Sequence, residues 1–249
     1  MFVKIDNVLI NYNYLKGNDK TIVFLHGYMG NLNSFSFFCD VFHNFGYSTL
    51  NIDLTNFGFS NLTENFTIYD YANVVNRLIK KLKIKNPILI GHSFGGRLIM
   101  ILTSMYRYKN KIVFVSSAGI KPRFNFKTWL KILDYKFNKK LVKLKLKKQN
   151  CLKKFGSEEY KKLSKNMQQV YINVVNEDLK YLLKYIKNDA LIIYGTKDKD
   201  TPMYMAKTMH RNIANSKLLS LEGNHFAYLQ NSQKFIRIVK KFIEKENIC

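Results

Sequence analysis

The sequence predicts an α/β fold: a mostly parallel sheet with helices on both faces. Three observations carry this. Short unbroken apolar runs, "TIVFL" (21–25), "ILI" (88–90) and "ALIIYG" (190–195), read as strands buried on both sides. Stretches with apolar residues at helical spacing alternate with them. The run ending at residue 90 passes through Gly91-His92-Ser93-Phe94-Gly95-Gly96 directly into a helical pattern, so a serine sits at a strand-to-helix junction.

In chain order, "FVKI" and "VLINYNY" flank Asp6-Asn7 and predict a hairpin. "TIVFLHG" is the first buried strand. "NLNSFSFFCDVFHNFG" has helical spacing and stops at Gly46. "YSTLNID" is the next strand. "TIYDYANVVNRLIKKLKI" is an amphipathic helix with Ile68, Tyr71, Val74, Val75, Leu78 and Leu82 on one side. "PILIGH", a helix over 94–107, and the strands "KIVFVSSA" and "ALIIYG" follow. A helix over 202–213, the strand "KLLSL" and a closing helix complete the order. The rhythm breaks between about Lys121 and Asn188, where helical stretches such as "FKTWLKILDYKF" and "QQVYINVVNEDLKYLLKYI" occur without a convincing strand. The expected organisation is a core of residues 1–120 and 189–249 with a helical insertion at 121–188. No internal repeat is evident.

The chain has 249 residues, is 47% hydrophobic and 23% charged, and so suffices for one large α/β domain. The most apolar long stretch, Pro87–Met105, carries His92, Arg97 and adjacent glycines, which excludes a membrane span there. The opening residues lack an apolar signal region and include Asp6. Cys39, Cys151 and Cys249 are far apart, without metal or redox spacing, which fits a reducing cytoplasm. The formal charge is +24. Lys, Asn, Ile, Tyr and Phe share A/T-rich codons, so biased composition accounts for much of it. It does not account for clustering: residues 121–165 hold sixteen Lys/Arg against three Asp/Glu. That segment, with Phe124, Phe126, Trp129 and Tyr135 among its lysines, suits an anionic substrate, an anionic membrane surface or simply a solvated face.

Gly91-His92-Ser93-Phe94-Gly95 fits G-x-S-x-G. Such an elbow holds the serine in strained backbone and exposes its hydroxyl; side chains two positions away would strike neighbouring backbone, hence the glycines. The free N–H groups of the following helix favour developing negative charge at the same place. A serine hydroxyl also needs a general base. With these features the chain resembles the α/β-hydrolase superfamily over nearly its whole length, and specifically a serine hydrolase of that fold with a helical cap. "LHGYMG" (25–30) is similar to the family's oxyanion loop, and "NIDLTNFGFS" (51–60) to its D-x-x-G-x-G-x-S loop, with Asn56 where Gly is usual. "YGTKDKDTP" (194–202) resembles the acid-bearing turn and "EGNHF" (222–226) the histidine loop.

The resemblance implies the order Ser, acid, His, here Ser93 as nucleophile, Asp198 as acid and His225 as base. Asp200 is the alternative acid, or else an N-cap of the helix beginning at Pro202. The strand before offers "SSAG", with no carboxylate. His26 is expected to brace the oxyanion loop, His92 to pack, and His43 and His210 to lie on helices. The backbone N–H groups of Tyr28 and Phe94 would form the oxyanion hole. The expected activity is hydrolysis of an ester-type bond in a small-molecule acyl substrate through an acyl-enzyme, with no metal or organic cofactor implied. A lactonase, thioesterase, C–C bond hydrolase, aminopeptidase or cofactor-free haloperoxidase of the same superfamily uses the same triad. A serine at the elbow argues against the dehalogenase and epoxide hydrolase branches. A ligand receptor on this scaffold would bind without turnover, and a nucleic-acid binder, suggested by charge alone, lacks a motif.

Overall fold

A computed structural model describes residues 1–123, 126–148, 150–151, 160–161 and 163–245; Phe124 and Cys249 lie outside the described residues. Eight strands form one sheet: β1 (Phe2–Ile5), β2 (Val8–Leu15), β3 (Thr21–Leu25), β4 (Ser48–Ile52), β5 (Ile88–His92), β6 (Ile112–Val115), β7 (Ala190–Gly195) and β8 (Ser216–Leu221). Their order is β1-β2-β4-β3-β5-β6-β7-β8. The predicted hairpin pairs antiparallel, β2 also runs antiparallel to β4, and every pair from β4 onward is parallel.

Alternate residues of each central strand enter opposite cores. On β3, Val23 and Leu25 join one apolar cluster, with residues of α2 (Ile68–Lys81) and α3 (Phe94–Ser104). Ile22 and Phe24 join the other, with α1 (Ser36–Asn44) and the closing helix Ser232–Glu244. This two-sided burial is why the strands read as unbroken apolar runs. Helix α2 starts where Thr67 and Asp70 form a capping box, and it ends in Lys80 and Lys81, which suit its negative pole.

Between β6 and β7 the described residues contain no strand. They hold α4 (Phe126–Lys143), α5 (Lys165–Val175) and a 3₁₀ turn at Lys180–Tyr185. The helical stretch read over 168–186 is therefore two pieces. The cause is Arg97, buried on α3, whose guanidinium donates to the carbonyls of Val175 (3.1 Å) and Glu177 (2.8 Å) and takes up the helix end. Leu179, Leu182, Leu183 and Ile186 then pack into the core shared with α3. Beyond β7 come α6 (Met203–Asn212), a one-turn helix α7 (Ala227–Gln230) that the sequence reading missed, and α8 (Ser232–Glu244). Among the described residues no helix is long and apolar enough to cross a membrane.

Candidate active site

The serine's strain follows from local backbone. Ser93 sits between β5 and α3 at φ 48°, ψ −106°, a conformation that L side chains rarely adopt. The turn is tight enough that a Cβ on Gly91 would lie 2.6 Å from the backbone of Gly95, and one on Gly95 would lie 2.0 Å from the carbonyl oxygen of Leu25 on β3. Glycine at both positions lets helix α3 seat directly on the sheet. The N-terminus of α3 therefore points at the serine, with Phe94 as its first residue.

The acid and the histidine are brought together by two turns zipped to each other at the ends of β7 and β8. Thr196 N–H donates to Leu221 O (2.9 Å) and Lys197 N–H to Gly223 O (2.8 Å). A Cβ on Gly195 would fall 2.1 Å from Asn224 O, so this approach needs glycine. Asp198 Oδ2 then lies 3.0 Å from His225 Nδ1. Both residues are buried. Asp198 is held on every lone pair: Oδ1 accepts from the N–H groups of Asp200 (3.0 Å) and Thr201 (2.9 Å), and Oδ2 from the Thr201 hydroxyl (2.7 Å) and His225. Burial alone would raise its pKa. The hydrogen bonds from His225 and from the Thr201 backbone and hydroxyl outweigh it and keep the carboxyl below its ordinary value.

Asp200, the alternative acid, is exposed. It does not cap the next helix either: Pro202 occupies the N-cap, without a side-chain cap. Ligand atoms of Asp198, Asp200 and His225 lie within 4.8 Å of one another. Within this group Asp198 and His225 are hydrogen-bonded to each other, and Asp198 also accepts from the backbone of Asp200 and Thr201.

Three positions organise the surroundings. His92, the residue before the serine, donates Nε2–H to His225 O (3.1 Å), and the two rings lie 4.7 Å apart. It therefore ties the strand that runs into Ser93 to the loop that carries His225. His26 accepts Leu54 N–H at Nε2 (3.0 Å) and donates Nδ1–H to Gly27 O (2.7 Å), bracing the loop after β3 against the chain that follows β4. Burial lowers the pKa of His26 to about 4 and of His92 to about 3, so both are neutral near pH 7. Asp53 accepts from Leu32 N (2.6 Å), Phe59 N (2.9 Å) and Asn11 Nδ2 (2.7 Å), knitting the 53–60 loop to its neighbours. Asn56, in the place of the usual glycine, keeps a left-handed backbone at φ 71°, which asparagine tolerates best among residues with a side chain. Its amide donates to Tyr71 Oη (2.6 Å).

The loop after β3 runs beside the serine: a Cβ on Gly27 would lie 3.5 Å from Ser93 Cβ. The next residue, Tyr28, packs its ring against Phe57, Phe94 and Tyr171 of α5 at 4.8, 5.7 and 4.9 Å between centroids. The sequence-predicted residues thus gather at the carboxyl edge of the sheet. His43 bonds Tyr47 O at 3.3 Å and His210 bonds Ser216 Oγ at 2.9 Å, contacts outside this group. Sequence reasoning missed Thr201 and the bridging role of His92. A threonine three residues after an aspartate signals a local side-chain turn, but its reach to His225 appears only in three dimensions.

A family model of the alpha/beta hydrolase fold matches residues 20–232. The chain is 26% identical over 254 residues to the AB hydrolase superfamily protein YisY of Bacillus subtilis strain 168, covering 91% of this chain and 92% of that protein. It is 31% identical over 191 residues to a pimeloyl-(acyl-carrier protein) methyl ester esterase of Wigglesworthia glossinidia brevipalpis, covering 66% of this chain and 72% of that protein. A solved esterase from Exiguobacterium antarcticum has the same fold, with TM-score 0.77, 23% identity and 98% of each chain covered.

Proposed function

Because the chain belongs to the alpha/beta hydrolase fold family, we propose that it is a serine hydrolase cleaving a carboxylic ester of a small or medium acyl substrate through an acyl-enzyme. The observation that carries this reading is the buried Asp198–His225 hydrogen bond (3.0 Å), linked through His92 to a serine held at φ 48°. His225 uses Nδ1 for the acid, which leaves Nε2 as the proton acceptor. Ser93 Oγ attacks the ester carbonyl as its proton passes to Nε2. The charged oxygen that develops meets the N–H groups of Phe94 and Tyr28, each worth ~10²–10³ in rate. The imidazolium returns the proton to the departing alcohol. Water then adds to the acyl-enzyme, giving its proton to His225, and the acid leaves with Ser93 restored.

The segment at 121–188 acts in this proposal as a cap over the carboxyl edge. Tyr171 of α5, packed on Tyr28, is its contact with the oxyanion loop. Free thiols at Cys39 and Cys151 support a cytoplasmic setting. The relative from Wigglesworthia is named for a methyl ester, so methyl esters of graded acyl length form the first substrate series.

The test is labelling with a fluorophosphonate probe, mapped by mass spectrometry, on wild type, Ser93→Ala and His225→Ala. Labelling at Ser93 that collapses in both variants is the expected result. A folded wild-type protein that neither labels nor turns over any ester refutes the proposal and favours a receptor on this scaffold.

A further inference from the structure

Helix α4 is built the wrong way round for an element packed in water. Phe126, Trp129, Leu130, Ile132, Leu133 and Phe137 are 41–62% exposed, while the one buried side chain among its described residues is Asn138. Asn138 is held inside by local bonds, donating to the Asp134 carbonyl (2.8 Å) and carboxylate (2.7 Å) and accepting from Lys147 Nζ (2.8 Å). At about 100° per residue, Phe126, Leu130, Leu133 and Phe137 fall within a sector of roughly 60°, with Trp129 at its margin. They form one straight apolar stripe facing outward.

Exposed Lys136, Lys140 and Lys143 run along one flank of that stripe. The helix holds six lysines and one aspartate, and Lys145, Lys147 and Lys148 follow it. A continuous apolar stripe in water marks an interaction surface. With flanking lysines able to lay their stems along it and lift their ammonium groups outward, the arrangement suits the boundary between acyl chains and headgroups. An acidic protein surface would satisfy the lysines but leave the narrow outward line of Phe and Leu unused.

We infer that α4 is an interfacial anchor, which docks this protein on the surface of a bilayer containing anionic lipid. The charge selects anionic headgroups, and the stripe enters the acyl boundary. The helix leaves the sheet after β6, at the edge that carries Ser93. Before it, Arg123 donates its backbone N–H to Tyr204 Oη (3.0 Å) and lays its guanidinium 4.6 Å over the Tyr204 ring. The candidate active site lies at that same edge of the sheet. The inference does not depend on the reaction assigned to that site.

Trp129 is the chain's single tryptophan and lies on this helix, so it reports directly. The full chain is titrated with vesicles of phosphatidylcholine alone and of phosphatidylcholine mixed with phosphatidylglycerol. The expected result is co-sedimentation, a blue shift of Trp129 emission and quenching by brominated acyl chains with the anionic vesicles only. Lys136→Glu/Lys140→Glu/Lys143→Glu should lower vesicle partitioning by ~10²-fold or more, at about fivefold per lysine lost. Leu133→Ser/Phe137→Ser should remove the blue shift while leaving the lysines in place. All five substituted side chains are exposed, and circular dichroism verifies their folding. Unchanged Trp129 emission in the wild type, equal binding to neutral vesicles, or sedimentation without brominated-lipid quenching overturns the inference. So does retention on an acidic carrier protein without vesicle binding. None of these readouts involves Ser93 labelling, so the docking inference and the hydrolase reading fail separately.

Discussion

Asparagine at position 198 tests the acid assignment more sharply than alanine does, because the neighbours dictate how the amide must sit. The Oδ1 position accepts two backbone N–H groups, from Asp200 and Thr201, at 3.0 and 2.9 Å. An amide NH₂ there would face two donors, so the asparagine oxygen takes that place and its NH₂ turns toward His225 Nδ1. The Thr201 hydroxyl accommodates the exchange, since it also lies 3.0 Å from Ser116 O and can donate there while accepting from the new amide. His225 is then driven into the tautomer with Nδ1 unprotonated and the proton on Nε2, where it cannot accept the Ser93 proton. A wrong tautomer in a serine triad costs ~10⁴ in kcat, about 5.5 kcal/mol of barrier at 1.36 kcal/mol per decade. The fold should survive, because the hydrogen bonds around position 198 are re-formed. The assay is kcat/KM for a chromogenic ester beside urea unfolding, with Asp200→Asn as the control. Asp198→Asn should lose about four decades with little change in the unfolding midpoint, and Asp200→Asn should stay within a few-fold. Retention of more than a tenth of the activity by Asp198→Asn, or collapse of Asp200→Asn instead, refutes the reasoning.

Further outcomes follow from the same geometry. Ser93→Gly should abolish fluorophosphonate labelling yet raise the unfolding free energy by about 1 kcal/mol, since glycine relieves the strained backbone at φ 48°. Gly95→Ala should destabilise the fold by about 3 kcal/mol or more in urea, because its Cβ would sit 2.0 Å from Leu25 O. Stability should fall on acidification from about pH 6.5. His26 and His92 stay neutral when folded, with pKa values of about 4 and about 3, but take up protons once unfolded. Near pH 5 these two contribute a slope of about 2.7 kcal/mol per pH unit, which His92→Gln should cut by about half. Asp198 has the opposite charge type but adds loss in the same direction. Its folded pKa is lowered, so its contribution is intact above the unfolded carboxylate value and disappears as pH falls through the folded one. Stability that stays flat between pH 6.5 and 4 would contradict the neutral assignment of both histidines.

The parts of this molecule legible from sequence are those whose physics is local. Thr67 and Asp70 announce the start of α2, and Gly46, at φ 91°, ends the turn after α1. The unbroken apolar runs of β3, β5 and β7 follow from burial on both faces. The elbow glycines were readable because the chemistry of a serine at a strand-to-helix junction demands them. What was not legible depends on contacts distant in sequence. The helical stretch 168–186 splits because Arg97, about eighty residues earlier, binds the carbonyls at its break. Asp200 reads as a cap until Pro202 is seen to occupy that place. Helix α7 spans four residues, too few for periodicity to register. Thr201 precedes a proline and reads as a helix entrance, while its hydroxyl serves a carboxylate and approaches an imidazole across the turn. On α4 the sequence announces a helix, yet that Phe126, Leu130, Leu133 and Phe137 face outward is seen only in the fold.

The strained and costly features of the fold are joined to one another. Ser93 carries backbone strain, His92 and His26 are buried without charge, and Asp198 is a buried carboxylate. Each is held from a neighbouring strand end: Ser93 N–H donates to Val115 O of β6 (3.0 Å), His92 reaches the loop after β8, His26 accepts Leu54 N–H after β4, and the Asp198 turn meets the β6 end through Thr201 and Ser116. Parallel strands place all these ends at one edge, which is why residues 93, 116, 198 and 225 can meet at all. His92 is the shared member, bonded to the loop of His225 and adjacent in chain to Ser93. Burial keeps His92 neutral at this junction. Part of the cost in acid stability therefore originates in the side chain that joins the strand running into Ser93 to the loop of His225.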